Sequence, residues 1–431
     1  MNVPQPAPSL WNAVTTPDDA CPALAGAASA TAVVIGAGFT GLSTALHLAQ
    51  AGCEVVVLEA ATPGFGASGR NNGLVIPTLT RPNPRDIVAA YGAAGERLVR
   101  LIAGSADYLF DTARSLGIDA EAEQTGWAQP AHSPGRLKIS EERVRQWTQY
   151  GARATLHDRA GMREITGSDA WFGGLSIASG GHINPLALVR GLARAARRAG
   201  VRIYCNSPAQ AFERVDGRWR VTTPQATVTA DLLTLATHAY TDQFAPALAP
   251  SLAREIVPVL SWQMATEPLA DSVRARILPR RTGMSDTHGD LYFARYDARN
   301  RLVTGGALAV ALNGRERLQT RIADRLKRLW PQIGDVRFDY VWNGYIAMTT
   351  DYLPRFHKLG PGALAWAGCN GRGVALSISL GREIAKSLTG ARDEDVALPF
   401  SDMRPLPMHG LLRRLAPMKI FEYRLRDRME V

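Results

Sequence analysis

The chain has little cysteine. Cys21, Cys53, Cys205 and Cys369 are the only four in 431 residues. They form no CxxC pair, so neither a disulfide framework nor a zinc or other metal site is expected, and a reducing cytoplasm fits this usage. Long apolar runs are also missing. No stretch of about 18 apolar residues lacks charge, so no integral membrane helix is expected. The N-terminal segment MNVPQPAPSLWNAVTT has neither the basic start nor the apolar core of a signal peptide. Lysine is scarce, supplying only five of the 49 basic residues (Lys138, Lys327, Lys358, Lys386, Lys419). The net charge of +10 therefore rests on arginines, which are scattered and often helically spaced with acids. That pattern reads as a solvated surface; a nucleic-acid partner is not expected. At 46% hydrophobic and 20% charged residues, the chain is an ordinary globular one, long enough for two or three domains.

What is present is a glycine-rich turn between two apolar runs. Residues 32–35 form a short apolar run that meets a glycine-rich turn at 36–41. A helical stretch follows over 42–51, closed by Gly52, and a second apolar run spans 54–59. This is one βαβ unit, whose crossover implies a parallel sheet. The turn is Gly36-Ala-Gly38-Phe39-Thr40-Gly41. The first glycine allows the tight turn, the second lets a pyrophosphate approach the backbone, and the third lets helix and strand pack closely. The helix N-terminus adds unpaired N–H groups and partial positive charge. Glu59, ending the second strand, suits adenosine ribose hydroxyls and repels a 2′-phosphate. The unit alone does not separate FAD from NAD.

The rest of the chain falls into blocks. Residues 1–27 read as an extended arm with one anchor, Trp11. Residues 61–84 form a long loop, and helical periodicity runs over 84–116 and 140–151. Residues 185–199 form an amphipathic helix with Asn184 as N-cap and Pro185 at its first position. Strands follow at 201–205, 209–215, 218–223 and 232–236, with Asp216-Gly217 as a hairpin turn. Residues 250–310 are strand-rich and 315–329 helical. Near the end, strand 364–367 runs into the glycine-rich 368–373 and a helix to Leu388. The tail from Leu406 is basic and amphipathic, suited to pack on its own protein or to dock on an acidic surface.

The segment Gly64-Phe-Gly-Ala67-Ser68-Gly69-Arg70-Asn71-Asn72-Gly73 follows the second strand directly. Together with Trp342-Asn-Gly344, Asp351-Tyr-Leu-Pro354 and Gly368-Cys-Asn-Gly371-Arg372-Gly373-Val374-Ala375, it resembles the D-amino-acid oxidase-like superfamily, in its glycine/sarcosine oxidase and gamma-glutamylputrescine oxidase branch. The resemblance spans about residues 8 to 395. It implies an α/β fold: a FAD-binding Rossmann-like domain of glutathione-reductase type (28–85, 152–240 and 340–395), and an α+β substrate domain on an antiparallel sheet (86–151 and 241–339). The tail, 396–431, lies outside both.

The resemblance also implies roles. Glu59, Ala60, Ala67, Ser68, Arg70, Asn71, Asn72 and Gly73 would lie along FAD, Ala209 at its adenine and Thr237 at its edge, with His238 in place of a glycine. Gly371, Arg372, Gly373 and Val374 would serve the flavin ring. Tyr292 is the first substrate-site candidate, Arg295 the second and Arg372 the third; Trp262, Tyr345 and His132 are weaker, since lone aromatics in strands usually pack cores. The implied chemistry is hydride transfer from a C–H next to nitrogen to flavin N5, giving an imine. The substrate would be an amine, amino acid, N-alkyl amino acid or glutamylated polyamine. Three departures stand out. No cysteine occurs between Gly344 and Met348, so FAD is expected to be non-covalent. Val303 takes the place of the branch's oxygen-promoting lysine, and its substrate-carboxylate arginine and lysine are replaced near Val75 and at Ala375. The electron acceptor is either O2, giving hydrogen peroxide, or a quinone or protein carrier; a non-catalytic FAD-bound subunit is a further alternative. A homo-oligomer is compatible with all of these.

Overall fold

The computed structural model describes residues 8–18, 20–308 and 313–430. The start of the N-terminal arm and the last residue of the tail therefore lie outside the described residues. The expected βαβ unit is present as strand Gly26–Ile35, helix Phe39–Gln50 and strand Val55–Leu58. The two strands pair in parallel, Ala32 with Val55 through Ile35 with Leu58. The sheet runs in the order 355–360, 363–367, 226–235, 26–35, 55–58, 202–204, with the hairpin 211–222 attached to 226–235. Val55–Leu58 is buried at every position, as a parallel strand covered on both faces must be. Its alternate side chains feed two cores. Val55 and Val57 join Leu42, Leu188, Leu192 and Ile378 under the helices. Val56 and Leu58 join Trp219, Val221 and Leu252 on the other face. Each such side chain contributes roughly 1.5–3 kcal/mol.

Local signals hold where chemistry demands a particular conformation. Asp216 and Gly217 have φ of 50° and 79°, the left-handed pair that a type I′ hairpin turn needs. Asn184 caps helix Pro185–Arg198 by accepting from the Ala187 N–H at 3.1 Å. Trp11 anchors the arm: it is fully buried in helix Leu10–Val14, and its indole N–H donates to the Asn71 carbonyl at 2.8 Å.

The second sheet runs 338–348, 257–268, 301–307, 293–296, 283–285, 127–130, 174–177, 154–157. Two of its strands, Ala154–His157 and Gly174–Ile177, carry segments that the sequence places in the first domain; they pair with each other, and Gly174–Ile177 also pairs with Trp127–Pro130. Strand Phe338–Met348 likewise pairs along its length with Val257–Pro268. Conversely, helix Pro84–Ser115 packs with the first sheet's helices: Leu98, Val99 and Ile102 meet Leu376, Leu380 and Ile384. Cysteine usage also differs from expectation. Cys21 and Cys205, 184 residues apart, form a disulfide, a bond that a reducing compartment does not favour. Cys53 and Cys369 are free.

Candidate active site

Residues from both sheets line a cavity of about 390 Å³. Its dinucleotide end is built by the glycine turn. Gly36 has φ of 106°, and a Cβ there would sit 3.0 Å from the Ala236 carbonyl oxygen. A Cβ on Gly38 would come within 2.8 Å of Ser68 Oγ, and one on Gly41 within 1.9 Å of the Gly36 carbonyl oxygen. Gly36 and Gly38 line the cavity with Phe39 and Thr40; Gly41 supports them from behind. Phe39 N–H donates to Ser68 Oγ at 3.0 Å. Glu59 also lines the cavity. One carboxylate oxygen accepts from Ala37 N–H at 2.8 Å and the other from Ala61 N–H at 2.9 Å. Burial pushes its pKa up, and the backbone donors pull it down. Each oxygen keeps a second acceptor site, so the carboxylate can still take ribose hydroxyls.

The loop after the second strand is held by its own amides. Asn71 donates to the Ala67 and Ser68 carbonyls, both at 3.0 Å, and accepts from Gly73 N–H at 2.8 Å. Asn72 accepts from Leu74 N–H at 3.0 Å. Arg70 staples this loop to the second sheet: its Nε donates to the Asn343 carbonyl at 2.5 Å, and its own carbonyl accepts from Trp342 Nε1 at 2.8 Å. Ala60, Ala67, Ser68, Arg70, Asn71, Asn72, Ala209 and Thr237 line the cavity. Gly73 does not; with φ of 81°, a Cβ there would lie 2.1 Å from the Ile183 carbonyl oxygen. His238 adopts φ of 50°, which explains the glycine expected there. Its Nε2 accepts from Cys369 N–H at 3.2 Å, and burial lowers its pKa to about 4.

The opposite wall comes from 368–374. Gly371 lines the cavity ahead of helix Gly373–Leu388, and Gly373 and Val374 line it from the helix's first turn. Cys369 lines it too, but burial pushes its thiol pKa up, which keeps it protonated and inert. Arg372 caps the helix and reaches across to the second sheet. Its Nη1 lies 3.5 Å from Ser285 Oγ, and its guanidinium stands 4.8 Å from the Trp127 ring centroid. Only 4% of the residue is exposed, and Nη2 has no hydrogen-bond partner. The charged neighbour acting on it is another cation, Arg143, and burial lowers its pKa to about 9.

Two substrate-site candidates lie elsewhere. Arg295 is fully buried behind the wall, where its guanidinium donates to the carbonyls of Asn72, Tyr296 and Ile183 at 2.7–2.8 Å and stands 4.6 Å from the Trp11 ring centroid. These three acceptors make it a strut. Tyr292 is not among the lining residues; it is sandwiched between His288, at 4.2 Å, and Arg325, at 4.1 Å. Of the weaker candidates Tyr345 lines the cavity, and Trp262 and His132 do not. The sequence missed Ser261 and Gln263, which line the cavity from strand Val257–Pro268. Gln263 is 5% exposed; its Nε2 donates to Ser261 Oγ at 2.9 Å, and its Oε1 has no partner. Their period-two spacing was the available signal. Val303 is fully buried among Leu10, Trp11, Ala265 and Trp342.

A family model described as "DAO: FAD dependent oxidoreductase" matches residues 31–387. The chain belongs to this family of FAD-dependent oxidoreductases. It is 31% identical over 402 residues to the gamma-glutamylputrescine oxidoreductase of Escherichia coli (strain K12), covering 92% of this chain and 93% of that protein. Its fold is similar to that of glycine oxidase from Geobacillus kaustophilus, with a TM-score of 0.73 and 19% identity over 88% of this chain and 100% of that one. L-proline dehydrogenase from P. horikoshii is also similar, with a TM-score of 0.72 and 17% identity over 88% and 98%. The cofactor is thus FAD, and the glycine cradle and Glu59 described above fit its pyrophosphate and ribose. The chain is an FAD-dependent oxidoreductase.

Proposed function

We propose that this enzyme oxidises the C–N bond of an amine that carries an acidic group, namely an amino acid, an N-substituted amino acid or a glutamylated polyamine, to an imine that water then hydrolyses. The observation that carries this reading is Arg372. Arg372 lines the cavity, its buried guanidinium feels another cation, Arg143, and its buried Nη2 has no partner, so an anion brought by the ligand would compensate the charge. When bound, FAD supplies the two-electron oxidant. The chain's residues do the rest. Arg372 and Ser285 hold the substrate's carboxylate. Gln263 Oε1 accepts from the substrate nitrogen and orients it. Leu291, Phe293, Tyr345 and Ile346, all on the cavity wall, exclude water from the reacting carbon. No strong base is needed if the amine enters neutral.

The relative's name, gamma-glutamylputrescine oxidoreductase, supports a glutamylated polyamine as the first compound to try. We take O2 as the electron acceptor, with hydrogen peroxide as product. A carrier-linked dehydrogenase is the second reading. Val303 favours it, because an aliphatic side chain sealed in an apolar cluster supplies no charge to assist oxygen reduction. We take FAD as non-covalent, since the one thiol on the cavity wall is held neutral. The test is an anaerobic titration of the yellow holoenzyme with acid-bearing amines and their decarboxylated counterparts. Bleaching by the acids alone, reversal by air with peroxide release, and flavin released on acid precipitation support the reading. Equal bleaching by both series overturns it, and reversal only by an added quinone selects the second reading.

A further inference from the structure

The C-terminal helix Lys419–Met429 is amphipathic the wrong way round. Its inward face is polar apart from the buried Ile420. Asp427 accepts from Gly289 N–H at 2.9 Å, and Arg424 pairs with Asp290 at 2.8 Å and donates to the Ala307 carbonyl at 3.1 Å. Tyr423 packs so closely on Gly289 that a Cβ there would sit 2.7 Å from its own. The outward face is apolar. Met418, Phe421, Leu425 and Met429, spaced along one stripe, are 59%, 50%, 60% and 71% exposed. The preceding helix His409–Leu415 adds Leu411 and Leu415 at 50% and 45%. Of the eleven large hydrophobic side chains exposed among the described residues, eight lie between 408 and 429.

Such a stripe costs free energy in water and marks a contact surface. Its flanking charge decides what the contact is. Arg414, Lys419, Arg426 and Arg428 are exposed beside the stripe; Lys419 pairs with Glu422 and Arg426 with Glu430, and among the described residues Arg414 and Arg428 have no acidic partner. A two-fold contact between copies would set these cations against their own images. An anionic lipid surface would instead neutralise them while the apolar stripe enters the headgroup boundary. Among the described residues no helix is long and apolar enough to cross a membrane, so the attachment is peripheral. The face matters to the site because the loop held by Asp427 and Tyr423 supplies Gly289 and Leu291 to the cavity wall.

We propose that the helical pair 409–429 is a membrane-docking surface that seats this enzyme on anionic lipid, with the cavity's 286–292 loop directly behind it.

The test is flotation of the purified holoenzyme with phosphatidylcholine vesicles, with and without about one-third phosphatidylserine. Binding should be at least tenfold tighter to the anionic vesicles and be reversed in about 0.5 M salt. Phe421→Asp with Leu425→Asp, and separately Arg414→Glu with Arg428→Glu, should each abolish flotation while leaving flavin content, melting temperature and activity in solution unchanged. No flotation of the parent protein, equal binding to neutral vesicles, or unchanged flotation of either variant overturns the proposal. So does sedimentation that shows a dimer which the Phe421→Asp/Leu425→Asp variant dissociates, since the stripe is then an interface between copies.

Discussion

Replacing Arg372 with methionine should make the protein more stable and less able to use its substrate. Burial lowers the guanidinium pKa from 12.5 to about 9. At about 1.4 kcal/mol per tenfold change, holding the charge at neutral pH costs about 5 kcal/mol more in the fold than in the unfolded chain. Relaxation and water entry reduce this, and we take as the expected gain about 1–4 kcal/mol, the range in which apolar replacement of buried ion pairs is stabilising. Methionine also packs well on the Trp127 face that Arg372 now covers. For a chain this long each kcal/mol raises the melting temperature by about 2 °C or less, so a rise of a few degrees is expected in the substrate-free protein. Catalysis moves the other way. A hydrogen bond to a charged group is worth about 1.5–3 kcal/mol, so kcat/KM for an acid-bearing amine should fall roughly 10- to 150-fold, with the same substrate's decarboxylated form barely affected. Differential scanning calorimetry and steady-state kinetics on both substrates read the two effects. A melting temperature lowered by several degrees would show that the arginine braces the fold. An equal loss on both substrates would show that it does not read the acid.

Acid should unfold this protein early. The unfolded His238 imidazole binds a proton near pH 6.5, but the buried one only near 4, so its contribution is complete above about 6.5, declines as pH falls and levels off below 4, a loss of about 3 kcal/mol. His182, lowered to about 3 by burial and Arg295, adds in the same direction. His238→Asn keeps a residue that tolerates the positive φ, and its urea midpoint should change less between pH 7 and 4.5 than the parent's; an identical slope would refute the assignment. Gly41→Ala should give a colourless or unfolded protein, because a Cβ there meets the Gly36 carbonyl oxygen at 1.9 Å; purification with a full complement of flavin would contradict the close-packing argument.

The first sheet was legible because its signals are local. An apolar run, three glycines at fixed spacing and an acid ending the next strand are set by phosphate chemistry and backbone contact, and all lie within 30 residues. The same holds for the 363–388 strand, turn and helix. The division between sheets was not legible. Ala154–His157 and Gly174–Ile177 are four-residue strands that join the second sheet through the pairing of Gly174–Ile177 with Trp127–Pro130, which only tertiary packing settles, and short runs carry no sign of which sheet they join. Phe293–Tyr296 is buried at all four positions, so alternation could not say which of its neighbours face the cavity, and Tyr292 was misplaced for that reason. Strand Val257–Pro268 is mixed in burial, and there the only signal for Ser261 and Gln263 was two polar side chains two residues apart, on one face.

The two buried arginines make the general point. Arg295 and Arg372 are alike in the sequence: each is a lone cation in an apolar or glycine-rich stretch, and each is almost wholly buried. What separates them is the supply of acceptors, which comes from distant parts of the chain. Three carbonyls from Asn72, Ile183 and Tyr296 converge on Arg295, so its charge is solvated by the protein and no ligand is required. Arg372 finds one long contact, to Ser285, and an aromatic face; its Nη2 is buried without a partner. Sequence displays donors and hides acceptors. On the proposed reading, a donor whose acceptors the fold does not provide takes its partner from the ligand, and that singles out Arg372, rather than Arg295 or Tyr292, as the residue to test for substrate recognition.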